Sequence, residues 1–577
     1  MYTLGINAAF HDCAAALVRD GQVVAAAEEE RFTRIKHGKR PVPFTAWQLP
    51  YHAIDYCLAQ AGIALRQVDH LAYALNPELL DRSQLVDGKM MLPLEPSAQP
   101  RAHYEGSPWD PLFLSYVINA PRQLADGVPH HLSRRWEGMT PDRAQERWIF
   151  LDHHTAHEAS AYLAAPEPDT AVLTLDGRGE RVCTSFGRYR DGRYERYKQI
   201  EVPHSLGLLY EEVTRYLGFL HSSDEYKVMA LASYGKPRYA DEFAEIVQLQ
   251  EDGGYTISPA RLAERFGPPR KRGAPFEAHH QDLASSLQHR LEQAALHMTG
   301  WLRERSGARH LVMAGGVALN CVMNARIAAS CQFESVWVQP AAGDAGTALG
   351  AALYVDNQRR GQGRSWTMEH AYLGPEFGDE EIGRFLESSK IAHRRVDDVA
   401  GEAAGLLAQG KILGWFQGRM EFGPRALGAR SILASPLDSA MQARLNGLKD
   451  REDFRPVAPV VLESKAHEWF DARGRDSICA PFMLFVYDVL PHRAARIPAV
   501  RHIDGTARVQ TIRREHNPRY YDLLAAFEAI TGVPVLVNTS FNTRGEPVVC
   551  TPRDALESFW TSPLDALVIG SYLVEKT

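Results

Sequence analysis

An α/β fold in more than one domain is what the sequence predicts, on three observations. A unit of strand, polar bend and hairpin turning at Asp-Gly occurs twice in the first two hundred or so residues. Later apolar runs at 311–314 and 336–340 break into glycine turns that open helices. A stretch of linker composition, 356–365, divides the chain, whose 577 residues exceed what one core holds.

The first strand is read at 4–6 and its polar bend at 7–12. Strands at 14–18 and 23–27 follow, joined by Asp20-Gly21, a pair that supplies the positive φ of a tight hairpin. The unit recurs as a strand at 171–175, a bend at 176–180, a strand at 183–189, the turn Asp191-Gly192 and a strand returning to about 200. This duplication, with one hairpin loop from each half offered to a shared ligand, resembles the actin-like ATPase and sugar-kinase superfold, in which two such loops clasp the phosphates of ATP. The stretch 75–147 is irregular, with prolines at 77, 93, 96, 100, 108 and 111 beside Trp109 and Trp136, and reads as a surface insertion that packs over the fold and shapes an acceptor pocket. Arg270-Lys271-Arg272 reads as a solvated loop.

From 279 to 305, Leu283, Leu287, Leu291, Ala295, Met298 and Leu302 recur at helical spacing and predict a long amphipathic helix. The strand at 311–314 ends in Gly315-Gly316, which allows close backbone approach by a ligand or serves as a plain strand-to-helix turn. Gly343-Asp344 opens a helix of small residues whose N-terminal N–H groups point at whatever Asp344 touches. The domain boundary is placed in the linker, giving domains 1–360 and 371–577.

The chemistry gathers around Asp152-His153-His154-Thr155-Ala156-His157-Glu158-Ala159-Ser160. If this heads a helix, His153 and His157 share a face with Cβ atoms about 6 Å apart, so two imidazoles reach one ion. Carboxylates are offered by the loop Asp176 to Glu180 and by Asp344, and such a set favours Fe(II), Mn(II) or Zn(II). The plainer alternative has His154 and a neighbour capping the helix or facing solvent. A thermolysin-type zinc helix is excluded, because position 161 is alanine.

After the linker, cations stand beside glycine turns: Arg425 and Arg430 in 422–431, Lys449, Arg451 and Arg455 in 446–455, then Arg508, with Asn538 and Asn542 completing the set. So many fixed cations in a chain of net charge −7 (Lys+Arg 64, Asp+Glu 71) imply a small anionic substrate. The charge balance gives no nucleic-acid or membrane footprint, and no apolar run nears the roughly 20 residues of a bilayer span. Seven scattered cysteines without a Cys-x-x-Cys pair read as reduced, and the expected location is soluble and cytoplasmic.

Seven motifs occur in order over essentially the whole chain: Glu29-Glu-Arg-Phe-Thr-Arg-Ile-Lys-His37, His153-His-Thr-Ala-His157, Asp176-Gly-Arg-Gly-Glu180, Ala314-Gly-Gly-Val-Ala-Leu-Asn320, Phe422-Gly-Pro-Arg-Ala-Leu-Gly428, Phe454-Arg-Pro-Val-Ala-Pro459 and Val537-Asn-Thr-Ser-Phe-Asn542. Together they resemble the O-carbamoyltransferase family, which includes nodulation-factor and antibiotic carbamoyltransferases. The resemblance implies an actin-like first domain, similar to threonylcarbamoyl transferases with an Fe(II)-type metal, and a YrdC-like second domain. It implies that carbamoyl phosphate and ATP, the latter as Mg-ATP, give carbamoyl-adenylate, and that the first domain passes the carbamoyl group to a small-molecule hydroxyl.

Carried over by motif, His153, His157, Asp176 and Asp344 hold the metal; Gly177, Gly315, Gly316 and Asn320 sit against nucleotide; Arg425, Arg430, Lys449, Arg455, Arg508 and Asn538 bind carbamoyl phosphate and ATP. A hydroxyl acceptor needs a base, for which His11 with Asp12 beside it is chosen and Asp224 stands second. The family commonly has glycine where Tyr226 stands, which places extra bulk near the expected acceptor side. Competing readings are an actin-fold ATPase or small-molecule kinase, a threonylcarbamoyl-type transferase, and a non-catalytic nucleotide-binding regulator. No P-loop occurs. Self-association as a homodimer is left open.

Overall fold

The computed structural model describes residues 1–38, 49–79, 120–125, 136–473, 477–543 and 545–576. Its first sheet comprises β1 (Tyr2–Asn7), β2 (Ala14–Arg19), β3 (Gln22–Glu28), β4 (His70–Tyr73) and β5 (Trp148–Phe150), in the order β3-β2-β1-β4-β5. β1 to β3 are antiparallel neighbours, and β4 and β5 run parallel to β1. The second sheet comprises β6 (Thr170–Leu175), β7 (Val182–Arg190), β8 (Arg193–Glu201), β9 (His310–Ala314) and β10 (Ser335–Val338). Its order from the hairpin edge is β8-β7-β6-β9-β10, with the same directions.

The two halves are therefore one topology used twice, as in actin-like folds. Both hairpins turn as the Asp-Gly pairs predict, with φ of 49° and 82° at Asp20 and Gly21 and 51° and 76° at Asp191 and Gly192.

Five helices position the site: α1 (His153–Tyr162), α2 (Glu225–Ala232), α3 (Ala278–Ser306), α4 (Cys321–Ala329) and α5 (Ala345–Arg360). The six apolar residues predicted for the long helix all lie buried along α3. α5 packs on β1, β2 and α1 through small residues, Ala345, Ala348, Ala351 and Ala352 among them, all buried. Small side chains let the helices approach until backbone meets backbone. A Cβ on Gly350 would stand 1.8 Å from the carbonyl oxygen of Ala156 on α1.

The C-terminal part is built on a mixed sheet of eight strands, in the order Arg394–Arg395, Tyr572–Glu575, Ala566–Ile569, Leu413–Phe416, Arg430–Ala434, Val535–Ser540, Ala458–Leu462 and Gln510–Ile512. Its own core is joined to that of the second sheet, which takes in Met368, Leu373, Phe422, Leu427 and Phe482. Polar staples cross the same boundary. Glu28 accepts from Arg31 (3.0 Å) and from the Gly423 amide (3.0 Å), and Arg34 donates to the carbonyls of Val548 and Pro547 at 2.6 and 3.0 Å. No helix among the described residues is long and apolar enough to cross a membrane. All seven cysteines are free thiols, five of them buried.

Three sequence expectations are corrected. Much of the 75–147 stretch, Trp109 included, lies outside the described residues, but its end does not sit on the surface. Trp136, Met139 and Ala144 are buried in the core of the first sheet, and the helix Pro141–Arg147 delivers β5 to that sheet's edge. The supposed linker begins inside α5: Asp356 is fully buried and bound by Arg360 at 2.6 Å, and Arg364 donates to the carbonyls of Ala165, Pro166 and Glu167. Polar composition there reflects the exposed face of a helix end and not a free segment. Arg270 is no solvated loop residue either, since its guanidinium lies 3.7 Å from the Phe276 ring centroid and donates to the carbonyls of Leu217 and Ala274.

The α1–α5 contact yields a direct prediction. Gly350→Ala should lower stability by about 1–3 kcal/mol, because neither backbone has room to withdraw, and urea unfolding followed by circular dichroism would measure it.

Candidate functional site

The head of α1 is set by its cap. Asp152 accepts from the Thr155 amide (2.7 Å) and hydroxyl (2.9 Å), which makes His153 the first helical residue and puts His157 one turn on. The buried Glu180 carboxylate accepts from the His153 amide (3.1 Å) and the Asn76 amide (2.6 Å), tying the helix start to the 176–180 bend. His153 Nδ1 lies 3.0 Å from the carbonyl oxygen of Ala74. A carbonyl only accepts, so Nδ1 carries hydrogen and the neutral ring presents a lone pair at Nε2.

Two carboxylates meet these imidazoles. Asp176 follows β6 and Asp344 precedes α5. His153 Nε2 is 3.7 Å from Asp176 Oδ2 and 3.6 Å from Asp344 Oδ1; for His157 Nε2 the distances are 3.8 and 3.6 Å. The Gly316 amide donates to the other Asp176 oxygen at 2.8 Å, which turns Oδ2 toward the histidines. Both Nε2 atoms and Asp344 Oδ1 are buried with no hydrogen-bond partner.

Burial alone would raise the Asp344 carboxyl, but His11 and His153 outweigh it and hold it at about 2. Burial opposes a charge on His153, and Asp344 and Asp176 override it, pushing that imidazole well above its ordinary value. The donor set fits a divalent ion: donors about 3.4 Å apart are what bonds of about 2.1 Å give in tetrahedral geometry, close to the spacings found. Two imidazoles and two carboxylates suit Fe(II), Mn(II) or Zn(II). His154 neither caps the helix nor faces solvent. It is fully buried, both its ring nitrogens lack hydrogen-bond partners, and burial holds it down at about 3.

A second chain of contacts reaches the quartet from the bend between β1 and β2. His11 Nε2 lies 3.7 Å from Asp344 Oδ2, His11 Nδ1 is 3.0 Å from Asp12 Oδ2, and Asp12 Oδ1 is 2.9 Å from His37 Nδ1. Burial works to raise Asp12, yet His37 and His11 together hold it well below the usual carboxylate range. His37 had been noticed only as the end of a motif. Asp224 lies 3.2 Å from Lys227 Nζ and accepts from the Leu220 amide at 3.2 Å.

Part of this lines one cavity of about 850 Å³. Asp176, Asp344, His11 and Asp12 face it, with Gly177, Gly316 and Asn320, and so do Arg425, Lys449, Arg451, Arg455, Arg508 and Asn538. Burial, then the neighbouring Arg508, depresses Arg425 to about 9; burial, then Arg455 and Arg508, does the same to Arg451. A guanidinium keeps its proton, so the depression reflects charge buried beside like charge; Glu452, 3.6 Å from Arg455 and also paired with Lys227, offsets part of it. Lys449 donates to Asn542 Oδ1 (2.7 Å) and Ser540 Oγ (3.1 Å), and Asn538 Nδ2 donates to Gln510 Oε1 (2.7 Å) while its own Oδ1 has no partner.

Two predicted residues fall away from the cavity. Arg430 is fully buried over Phe416 and donates to the carbonyls of Gln417, Gly418, Ala429 and Pro375, so its charge is spent on the fold. Gly315 faces the β6 backbone, where a Cβ would meet the Leu175 carbonyl oxygen at 2.1 Å. Asn320 lines the cavity but caps α4 through the Met323 amide (2.9 Å) and donates to Gln288 (2.8 Å). Lys36, His37 and Lys227 also line it, without a role read from the sequence, as does Tyr226, whose bulk in place of glycine the sequence did mark.

Residues 2–353 match the model of the carbamoyltransferase N-terminus and residues 404–576 that of the carbamoyltransferase C-terminus. An uncharacterized protein of Synechocystis sp. is 39% identical, the alignment covering 100% of this chain and 97% of that protein. Nodulation protein NolNO of Sinorhizobium fredii is 39% identical over 99% of this chain and 80% of its own. Nodulation protein U of Rhizobium fredii is 29% identical over 93% and 89%. Among solved structures, component A of the Acidaminococcus fermentans (R)-2-hydroxyglutaryl-CoA dehydratase overlaps 62% of this chain and 99% of its own at 14% identity and a TM-score of 0.34. HypF of T. kodakarensis overlaps 62% and 48% at 12% identity and 0.32. At such scores these likenesses add nothing to what the repeated sheets show.

The face of α1 opposite the histidines is gripped by Arg196, which donates to Glu158 at 2.8 and 2.6 Å and to Thr155 Oγ1 at 2.9 Å. Arg196→Ala, which leaves the fully buried Glu158 carboxylate unpaired, should lower stability by about 3–5 kcal/mol by urea unfolding, while Arg425→Ala leaves divalent-metal affinity unchanged by equilibrium dialysis.

Proposed function

The chain belongs to the carbamoyltransferase family, and on that premise we propose that it is an ATP-dependent O-carbamoyltransferase that works in two steps within one cavity. The observation that carries this reading is that one cavity is lined both by an arginine-rich cluster and by the two carboxylates of a buried His2Asp2 set.

In the cation cluster, Arg425, Arg451, Arg455 and Arg508 offer forks for the phosphates of carbamoyl phosphate and Mg-ATP, with Lys449 and Asn538 beside them. Release of both phosphate and pyrophosphate requires one water. Water cleaves carbamoyl phosphate to carbamate and phosphate, and the carbamate oxygen then attacks the α-phosphorus of ATP, expelling pyrophosphate and leaving carbamoyl-adenylate. In the second step an acceptor hydroxyl attacks the carbamoyl carbon and AMP departs. His11 takes the hydroxyl proton: with Nδ1–H directed at Asp12, Nε2 is the accepting atom. Lys227 Nζ and the Leu220 amide both engage Asp224 Oδ2, which leaves His11 the better placed of the two. Gly177 and Gly316 leave room for the nucleotide beside Asp176.

His153, His157, Asp176 and Asp344 would hold a divalent ion, whose chemistry there is to offset the charge on the phosphate of the leaving AMP. The acceptor is a small molecule with a free hydroxyl. A kinase or plain ATPase of the same fold would leave the cation cluster without a purpose.

Pyrophosphate release with ATP and Mg²⁺ tests the proposal. It should require carbamoyl phosphate, persist within about threefold in His153→Ala/His157→Ala, and fall at least about 100-fold in Arg425→Ala/Arg508→Ala, as loss of two charged hydrogen-bond partners implies. Phosphate release from ATP without carbamoyl phosphate would return the protein to the ATPase reading.

A further inference from the structure

Tyr226 on α2 enters the cation cluster from the first half of the chain. The Arg455 guanidinium carbon stands 4.7 Å from its ring centroid, and Tyr226 is among the groups acting electrostatically on Arg425 and Arg451. It lines the same cavity as Asp12 and Asp344. The bulk expected on the acceptor side is therefore spent against the anion site. α2 and the segment after it are tied to the arginine-bearing loop beside this contact: Lys227 Nζ is 2.9 Å from Glu452 Oε1, and the hydroxyl of Tyr234 donates to the Phe454 carbonyl at 3.3 Å.

The ring covers one side of the Arg455 guanidinium, whose Nη1 also lies 3.6 Å from Glu452 Oε2, and the two contacts together hold that cation beside the cavity. Carbamoyl-adenylate is a mixed anhydride, and water reaching it gives AMP and carbamate, which falls to carbon dioxide and ammonia. A wall between the site that makes this compound and the site that spends it limits that loss. We infer that Tyr226 is that wall and the positioning residue for Arg455: it orients the fork on the bound anion and retains the adenylate until an acceptor hydroxyl arrives. The inference rests on the two-step reading above.

Acceptor-free turnover tests it, with ATP, Mg²⁺ and carbamoyl phosphate as the probes. The wild-type chain should release about one pyrophosphate per molecule in a burst and then turn over at least about tenfold more slowly. Tyr226→Ala should keep the burst, raise the slow phase about tenfold with matching AMP, and raise KM for carbamoyl phosphate several-fold. Tyr226→Phe keeps the ring over Arg455 and should match the wild type within about twofold. The inference is overturned if Tyr226→Ala leaves both slow phase and KM unchanged, if it abolishes the burst, if Tyr226→Phe leaks as much as Tyr226→Ala, or if the wild type shows no slow phase. Absence of any pyrophosphate from the wild type would instead sink the two-step reading, so the two failures are told apart.

Discussion

Charge buried without a partner is the constraint on which this structure turns. The ligand atoms of two imidazoles and two carboxylates all lie within 4.8 Å of one another, with both Nε2 atoms and one carboxylate oxygen making no hydrogen bond. In the same cavity four arginines crowd together around the carboxylate of Glu452, which lies 3.6 Å from Arg455. A folded chain holds such groups out of water only at a cost of several kcal/mol each unless something else neutralises them. One set asks for a cation and the other for anions, and both requirements are built by residues whose positions the rest of the fold enforces.

Duplication explains how the first set is assembled. In each half the chain runs from the fifth strand of its sheet into the head of a helix: β5 into α1, β10 into α5. In each half the first two strands are joined by a polar bend. His153 and Asp344 stand at the two helix heads, and Asp176 and Asp12 in the two bends, so the repeat carries equivalent points of the fold to one place. α1 and α5 then touch backbone to backbone at Gly350 and Ala156, which ties the imidazoles on one helix to the carboxylate preceding the other. The small residues of α5 are thus a condition of the site's geometry.

Local signals were read well from sequence. Apolar strand runs, Asp-Gly hairpins and the 3.6-residue repeat of α3 depend on neighbours in the chain, and so did the placing of His153 and His157 on one helical face. That Asp176 and Asp344 would join them required only that two loops follow two strands of one sheet. What failed was whatever depends on distant partners. Arg430 and Arg425 look alike in sequence, five residues apart in one motif, yet carbonyl groups close around the first and leave the second facing the cavity. Arg270 needed Phe276 and the Leu217 carbonyl to be recognised as structural, and the polar end of α5 was mistaken for a linker because a half-exposed helix end has the same composition. Tyr226 could be placed against Arg455 only once α2 and the loop after Lys449 were seen to be pinned together.

The central claim is that one cavity holds two sites of opposite electrostatic need that serve consecutive steps. Separate titrations of a divalent ion and of carbamoyl phosphate into the wild type, Asp344→Asn and Arg508→Ala address it most directly. The account predicts a double dissociation: Asp344→Asn loses the ion and keeps carbamoyl phosphate affinity within about twofold, and Arg508→Ala does the reverse, losing about tenfold or more in affinity for carbamoyl phosphate. Loss of both ligands in either variant, or retention of both in each, would contradict it.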